Sequence, residues 1–149
     1  MRKILFLLLV MIKSTSLAQV PYNEVFSIDF DFLYSDGIKC FGADPYSFEF
    51  QRARYYPLYH IHIEDSTDIK EIVESLDSLP IKRIDDEGHL SVDGRLIIDY
   101  IDDKNPKYVY IGASSAQICM LGAFYQMTES CYNLLNRICV KYTGKKLRY

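Results

Sequence analysis

Apolar and polar residues alternate along three stretches in the first half of the chain, and this alternation predicts β-strands. Within residues 25–34, Asp29 and Asp31 fall on one side, and the other side carries Phe26, Ile28, Phe30 and Phe32. A period of two is that of a strand with one buried face. The same period recurs over residues 46–51 and 58–64. Successive short strands of this kind predict antiparallel pairing.

Two Asp-Gly dipeptides predict turns, because a tight hairpin turn requires positive φ values that Asp and Gly tolerate. Asp36-Gly37 would close a hairpin in which Phe41 lies opposite Phe32. Asp93-Gly94 would do the same before a strand over residues 95–101. Further strands are predicted over residues 108–111 and, as a short hairpin, within 117–127.

The period changes to that of a helix in two places. Residues 69–79 carry apolar side chains three and four positions apart, with Asp65, Ser66 or Asp68 as the N-cap and Pro80 as the stop. A second helix is predicted from the N-cap Thr128 to the stop Gly144. Its inward residues would be Cys131, Leu134, Leu135, Ile138, Cys139 and Tyr142.

These elements predict an α+β fold. It would consist of a hairpin-rich antiparallel β-sheet of about six to eight strands, with two amphipathic helices packed on one face. The other face of the sheet would be largely polar and solvated. The absence of a linker of low complexity predicts a single domain.

The N-terminal segment is typical of a secretory signal peptide. Arg2 and Lys3 precede an apolar run over residues 4–12, and small residues surround a cleavage position after Ala18. The run is shorter than the roughly 20 residues that span a bilayer. We therefore predict a signal peptide over residues 1–18 and an exported domain over residues 19–149 without an integral membrane segment. Its destination would be the periplasm, the envelope or the exterior.

The net charge of the predicted exported domain limits the classes of partner that it could bind. The full chain has a net charge of −3, and removal of residues 1–18 takes away three cations and no acid, which leaves −6. A negative domain is poorly suited to nucleic acid, whose phosphates are bound through Lys and Arg. The chain has thirteen Tyr residues and no Trp, and tyrosine is enriched in protein–protein contacts. The expected partner is a protein, and the oligomeric state stays open.

Four cysteines leave disulfides open in an oxidising compartment. They are Cys40, Cys119, Cys131 and Cys139. Cys131 and Cys139 would lie about 12 Å apart along one helix, too far for a disulfide, which needs Cα atoms within about 7 Å. The other reading is that these thiols are small buried hydrophobes.

The strongest local motif is His60-x-His62-x-Glu64. On a strand these three side chains share a face, and imidazole and carboxylate are ligands for zinc. His60, His62 and Glu64 are therefore candidate metal ligands, and Asp29, Asp31 and Glu49 would share their face if the strands pair in order. The alternative is that these residues are polar only because the face meets water.

Two catalytic alternatives are weaker. Ser114 follows a predicted strand in a Gly-x-Ser-x-Ala sequence, but every histidine precedes it. Cys131 lies in the first turn of the last predicted helix, although it belongs to the apolar stripe there.

The sequence therefore favours a small exported non-catalytic binding protein, such as an inhibitor or an accessory module of the cell envelope. Two alternatives stay open. One is a metal-binding protein or metal-dependent enzyme that uses His60, His62 and Glu64. The other is a structural envelope protein without a discrete ligand.

Overall fold

Six antiparallel strands and two α-helices form the part of the chain that the computed structural model describes, residues 22–33, 58–80, 92–102, 105–112 and 116–147. The strands are β1 (Val25–Leu33), β2 (Leu58–Ile63), β3 (Gly94–Tyr100), β4 (Lys107–Gly112), β5 (Gln117–Met120) and β6 (Ala123–Gln126). The helices are α1 (Ser66–Asp77) and α2 (Glu129–Thr143), and a short 3-10 helix, Tyr22–Glu24, precedes β1. The predicted α+β class is confirmed.

The strand order in the sheet is β2-β1-β3-β4-β5-β6, so β1 lies between strands that are distant in sequence. Phe32 pairs with Tyr59 on one side and with Gly94 on the other. The register that was predicted for Phe32 with Phe41 is therefore wrong. A strong local turn signal does not determine which strands a long, apolar strand will pair with. The Asp36-Gly37 turn and the strand over 46–51 lie outside the described residues.

The second Asp-Gly pair does not form a turn, which corrects that prediction. Gly94 is the first residue of β3, and Asp93 continues the sheet pattern before it. The Asp93 carbonyl accepts a hydrogen bond from Leu33 at 2.8 Å, and the Asp93 amide donates to Ile111 at 2.7 Å. A Cβ at Gly94 would lie 3.1 Å from Phe30 Cε2 and 3.2 Å from the Asp31 carbonyl oxygen. Glycine is required at this position because the close packing of β1 leaves no room for a side chain.

Both predicted helices are confirmed, although α1 ends at Asp77, before the predicted stop Pro80. The Asp65 side chain caps α1 and accepts hydrogen bonds from the amides of Thr67 and Asp68, each at 3.0 Å. Thr128 caps α2, and Gly144 ends it in the left-handed conformation at φ 70°. Each cap satisfies backbone groups that a helix end leaves without a partner.

The main core joins both helices to alternate positions of the strands. The strand residues of this core include Ile28, Phe30, Phe32, Ile61, Ile63, Leu96, Ile98, Val109, Ile111, Ile118, Met120 and Tyr125. The helix residues include Ile69, Ile72, Val73, Leu76, Cys131, Leu135, Ile138 and Cys139. Two residues that were predicted to face the core are exposed instead. Phe26 is exposed because the β1–β3 pairing shifts register between Val25 and Ser27, and Tyr142 is exposed at the end of α2.

A second apolar cluster lies at the other set of strand positions. Leu33 and Val92 are buried together, and Tyr110, Cys119 and Phe124 pack against them. Leu33, Tyr110, Cys119 and Phe124 alternate with main-core residues along their strands, so this cluster lies on the opposite face of the sheet. The prediction that this face is largely solvated is therefore wrong for this region. That prediction was based on the acidic residues and histidines of β1 and β2, which do lie on this face.

A buried carboxylate connects the two helices. Asp68 Oδ2 accepts hydrogen bonds from Lys141 Nζ at 2.5 Å and from the Tyr142 hydroxyl at 2.8 Å. Arg137 of α2 also forms an ion pair with Glu71 of α1. Hydrogen bonds to a buried ionised group are stronger than those between neutral groups, so Asp68 helps to fix the two helices together.

The three described cysteines form no disulfide with one another. Cys131 and Cys139 are buried in α2, and Cys119 is partly exposed on β5. Cys40 lies outside the described residues, so the pairings that involve it stay predictions. Among the helices that the structure describes, none combines the length and apolar character needed to cross a membrane.

Candidate functional site

Two histidines of β2 lie directly opposite two aspartates of β1. The register pairs His62 with Asp29 and His60 with Asp31. His62 Nδ1 lies 2.6 Å from Asp29 Oδ1, and His60 Nδ1 lies 2.8 Å from Asp31 Oδ1. Because an ionised carboxylate can only accept, each Nδ1 carries the hydrogen and donates it. With Glu64 these four residues form what we call the His–Asp patch.

The inner end of the patch is a buried ion pair. Arg95 of β3 donates from Nη2 to Asp31 Oδ2 at 2.8 Å, and its guanidinium lies 5.9 Å from the centre of the Tyr108 ring. The side chains of Asp31 and Arg95 are 1% and 3% exposed. Asp31 therefore joins His60 at the surface to Arg95 in the interior. A buried charge that is paired and hydrogen-bonded holds its neighbours in a defined geometry.

The outer part of the patch is accessible. The side chains of His60 and His62 are 51% and 48% exposed, and that of Glu64 is 67% exposed. The hydrogen bond to Asp29 raises the pKa of His62 above its usual value, and the bond to Glu64 raises it further. The patch thus presents titratable groups to solvent from two strands that fix their positions.

The second ring nitrogen of each histidine also faces a carboxylate oxygen. His62 Nε2 lies 3.3 Å from Glu64 Oε1, and His60 Nε2 lies 3.6 Å from Asp29 Oδ1. In a neutral ring that donates Nδ1–H, Nε2 is an acceptor, whereas in a protonated ring Nε2 is a donor. The protonated ring of His62 therefore joins Asp29 and Glu64 by two hydrogen bonds.

The structure brings together all three residues that the sequence proposed as metal ligands. His60, His62 and Glu64 share one face with Asp29 and Asp31, as expected. Within the described residues, however, no three His, Cys, Asp or Glu side chains are arranged to hold a metal ion. The metal site itself stays a prediction. Glu49 and Ser114 lie outside the described residues.

One residue of the site was missed by the sequence reasoning, and one alternative is weakened. Arg95 was not singled out, because only the pairing of β1 with β3 brings it to Asp31. The alternation along β3 predicts the face of the sheet on which Arg95 lies, but it does not predict that Asp31 is its neighbour. Cys131 is 1% exposed in the main core, and burial raises the pKa of its thiol. An activated thiolate requires the opposite shift.

Two clefts in the described part of the molecule lie away from the patch. One, of about 40 Å³, lies between α1 and strands β3–β5 and is lined by residues such as Leu76, Ile98 and Val109. The other, of about 350 Å³, lies at the start of α2 and is lined by Thr128 and Tyr132 among others. Neither cleft includes a patch residue.

Comparison with known proteins gives no relative for this chain: no family model matches it, and neither does any curated protein or solved structure.

Proposed function

We propose that this chain is a small exported, non-catalytic binding module, inhibitor-like or accessory to the cell envelope, and that it contacts a protein partner through the His–Asp patch. The observation that carries the proposal is the fixed, half-exposed arrangement of His60 and His62 opposite Asp29 and Asp31. Polar side chains held on strands lose little freedom on binding, which favours recognition.

The exposure of the patch favours a macromolecular partner, since the side chains of His60, His62 and Glu64 are about half or more exposed. Protein interfaces are formed on open surfaces, and polar contacts across them fix specificity. The buried pair of Asp31 and Arg95 lies beneath the patch and is hydrogen-bonded to it through His60. In this role the pair positions His60 and does not itself contact the partner.

The proposal includes an arrangement in which both helices cover the face of the sheet opposite the patch. The main core contains Ile61 and Ile63, which alternate with His60 and His62 along β2, together with buried residues of both helices. Export is supported by the N-terminal signal-like segment, and the acidic net charge suits a soluble exported partner-binding domain.

The test is to recover tagged protein from the envelope fraction of its own cells and compare three forms. These are the wild type, the double variant Asp29→Asn/Glu64→Gln, and the control Glu74→Gln. Glu74 is an exposed acid of α1 that lies 3.9 Å from Lys70, so the control removes a charge away from the patch. We expect one protein to co-purify with the wild type and the control and to be lost with the double variant.

Two results would contradict the proposal. Recovery of the wild-type protein without any partner would instead favour a structural role without a discrete ligand. A partner that is retained by the double variant would place the contact surface elsewhere. Far-UV circular dichroism of each form would show that the variants are folded.

A second candidate function is zinc binding, with His60, His62 and Glu64 as ligands. One observation favours it: both histidines donate Nδ1–H to a carboxylate, which is the orientation that metal-binding histidines usually have. Their Nε2 atoms would then face the metal. Glu64 and Asp29 supply carboxylate oxygens beside those atoms.

Zinc binding is tested by thermal unfolding with and without zinc. If the site exists, zinc raises the melting temperature of the wild type and has no effect on His62→Ala. An unchanged melting temperature of the wild type would remove this candidate. Native mass spectrometry of the same samples would give the number of ions bound.

A further inference from the structure

Leu121 is an exposed apolar residue in a turn that does not suit leucine. With Gly122 it forms the two-residue connection between β5 and β6, since Met120 pairs with Ala123. Leu121 has φ 51° and Gly122 has φ 74°, and a tight hairpin turn requires positive φ at both positions. Asparagine and glycine adopt such values readily, whereas leucine is strained by them. Leu121 is 59% exposed, so burial within its own chain does little to offset the strain.

Leu121 also lines the apolar cleft between α1 and strands β3–β5. The cleft has a volume of about 40 Å³, which is room for about three water molecules or for the branched end of one aliphatic side chain. Core side chains form its apolar wall, namely Val73, Leu76, Ile98, Val109 and Met120. An apolar recess favours an apolar group over water. An exposed apolar side chain therefore lies directly beside a recess of matching chemistry.

Two charged residues, one of each sign, line the same cleft. Asp77 ends α1 and is exposed, and Lys107 begins β4 and is half-buried. A partner surface of a single charge would be attracted by one of them and repelled by the other. Two copies of the chain related by a twofold axis avoid this conflict, because the acid of each copy meets the base of the other.

We propose that the chain forms a twofold-symmetric dimer in which Leu121 of each copy inserts into the cleft of the other. A twofold interface uses one surface twice and must therefore be complementary to itself. This surface contains both the projecting side chain and the recess, and both the anion and the cation. Burial of the two leucines then offsets the strain in the two turns. The inference goes beyond the proposed function, since no residue of the His–Asp patch lines the cleft.

The first experiment measures self-association of the chain, in the form that its own cells produce, by sedimentation velocity over a range of concentrations. A chelator is present, so that metal ions do not bridge two copies through the His–Asp patch. Leu121→Asn removes the apolar side chain and creates Asn-Gly, a preferred pair for this turn. The matched control is Val140→Gln, because Val140 is 42% exposed on α2 and does not line the cleft.

We expect the wild type and the control to dimerise with equal affinity. Leu121→Asn should weaken the dimer about 100-fold, since each of two buried leucines accounts for about tenfold. The melting temperature of dilute, monomeric samples should be as high for Leu121→Asn as for the wild type, or higher, because the turn is relieved of strain. Loss of the dimer is thereby distinguished from loss of the fold.

Three results of this experiment would overturn the inference. The first is a wild type that stays monomeric at the highest concentration measured. The second is Leu121→Asn dimerising as tightly as the wild type. The third is a lower melting temperature of monomeric Leu121→Asn, because the leucine would then serve its own chain. The contact at the His–Asp patch is tested separately, and none of these results affects it.

The second experiment tests the twofold arrangement by exchanging charges. Lys107→Glu and Asp77→Lys each leave the cleft with charges of one sign, so two copies of the same variant repel each other. At low salt we expect each variant to self-associate about tenfold more weakly than the wild type. A mixture of the two variants should form a heterodimer as tight as the wild-type dimer, because every acid again meets a base. A mixture no tighter than its components would overturn the inference.

Discussion

At the scale of single residues, His62 connects the two carboxylates of the patch. It donates from Nδ1 to Asp29 at 2.6 Å and faces Glu64 from Nε2 at 3.3 Å. Only the protonated ring can donate to both carboxylates at once. The hydrogen bond to Asp29, followed by that to Glu64, therefore raises the pKa of His62 above the usual value of 6.5.

This raised pKa predicts a pH-dependent contribution of His62 to stability. A group with a higher pKa in the folded state stabilises the protein fully below its unfolded pKa and loses that effect as the pH rises through the folded pKa. We expect the wild type to exceed His62→Gln in stability by about 0.5 kcal/mol at pH 5.5, a size appropriate to an exposed pair. The difference should shrink by pH 8.5. Urea unfolding at both values would measure it, and a constant difference would contradict the assignment.

Gly94 shows that a residue can be required for packing where the sequence suggests a turn. The space for its Cβ is limited by Phe30, which is fully buried, and by the backbone of Asp31. Neither neighbour moves without disturbing the sheet or the core. We expect Gly94→Ala to destabilise the protein by about 1–3 kcal/mol, the usual cost of overpacking. An unchanged urea midpoint would mean that the sheet relaxes at no cost.

At the scale of secondary-structure elements, the two helices are joined by contacts of different strength. Asp68 is 5% exposed and accepts from both Lys141 and Tyr142. The pair of Lys70 and Glu74 lies on the surface of α1. A hydrogen bond to a buried charge contributes more to folding than an exposed ion pair, because water does not replace it.

The contrast between these contacts is testable with single substitutions. We expect Asp68→Ala to lower the free energy of unfolding by about 1–3 kcal/mol and Tyr142→Phe to lower it by about 1 kcal/mol. Glu74→Gln should change it by less than about 0.5 kcal/mol. Urea denaturation of the three variants measures all of these values. Equal effects of Asp68→Ala and Glu74→Gln would show that the buried carboxylate of Asp68 adds nothing to the contact between the helices.

The elements themselves could be predicted from the sequence to different degrees. Both helices were predicted because their caps, Asp65 and Thr128, and the stop at Gly144 act through local hydrogen bonds. Strand β2 and its two histidines were predicted because alternation is also local. The insertion of β1 between β2 and β3 was not, since strand pairing depends on contacts between distant residues.

At the scale of the whole molecule, burial on both faces of the sheet distinguishes the structure from the sequence prediction. The main core and the cluster around Leu33 and Val92 lie on opposite faces. Arg95 contacts Asp31 only because β1 pairs with β3. This part of the site could therefore not be predicted without knowing the order of the strands in the sheet. The cluster was missed for the same reason. Its members come from separate segments and show no motif in any of them.

The cysteines provide a measure of how cooperatively this whole molecule unfolds. Burial raises the pKa of Cys139 to about 12 and also raises that of Cys131, while Cys119 is only partly buried. Since the thiolate is the reactive form, the two helix thiols should react only after unfolding. In a Cys40→Ser background at pH 8, we expect alkylation of Cys131 and Cys139 to be about 10³-fold or more slower than in urea-unfolded protein.

The relative alkylation rates of the three cysteines then show whether α2 opens only when the whole protein unfolds or also on its own. If α2 separates from the rest of the molecule only when the protein unfolds, Cys131 and Cys139 are alkylated together and at a rate set by the global stability. Asp68→Ala should accelerate both equally, because it weakens the contact of α2 with α1. Cys119 should react first and be insensitive to that substitution. Alkylation of Cys139 as fast as that of Cys119 would instead mean that α2 detaches locally, while the sheet and its His–Asp patch remain folded.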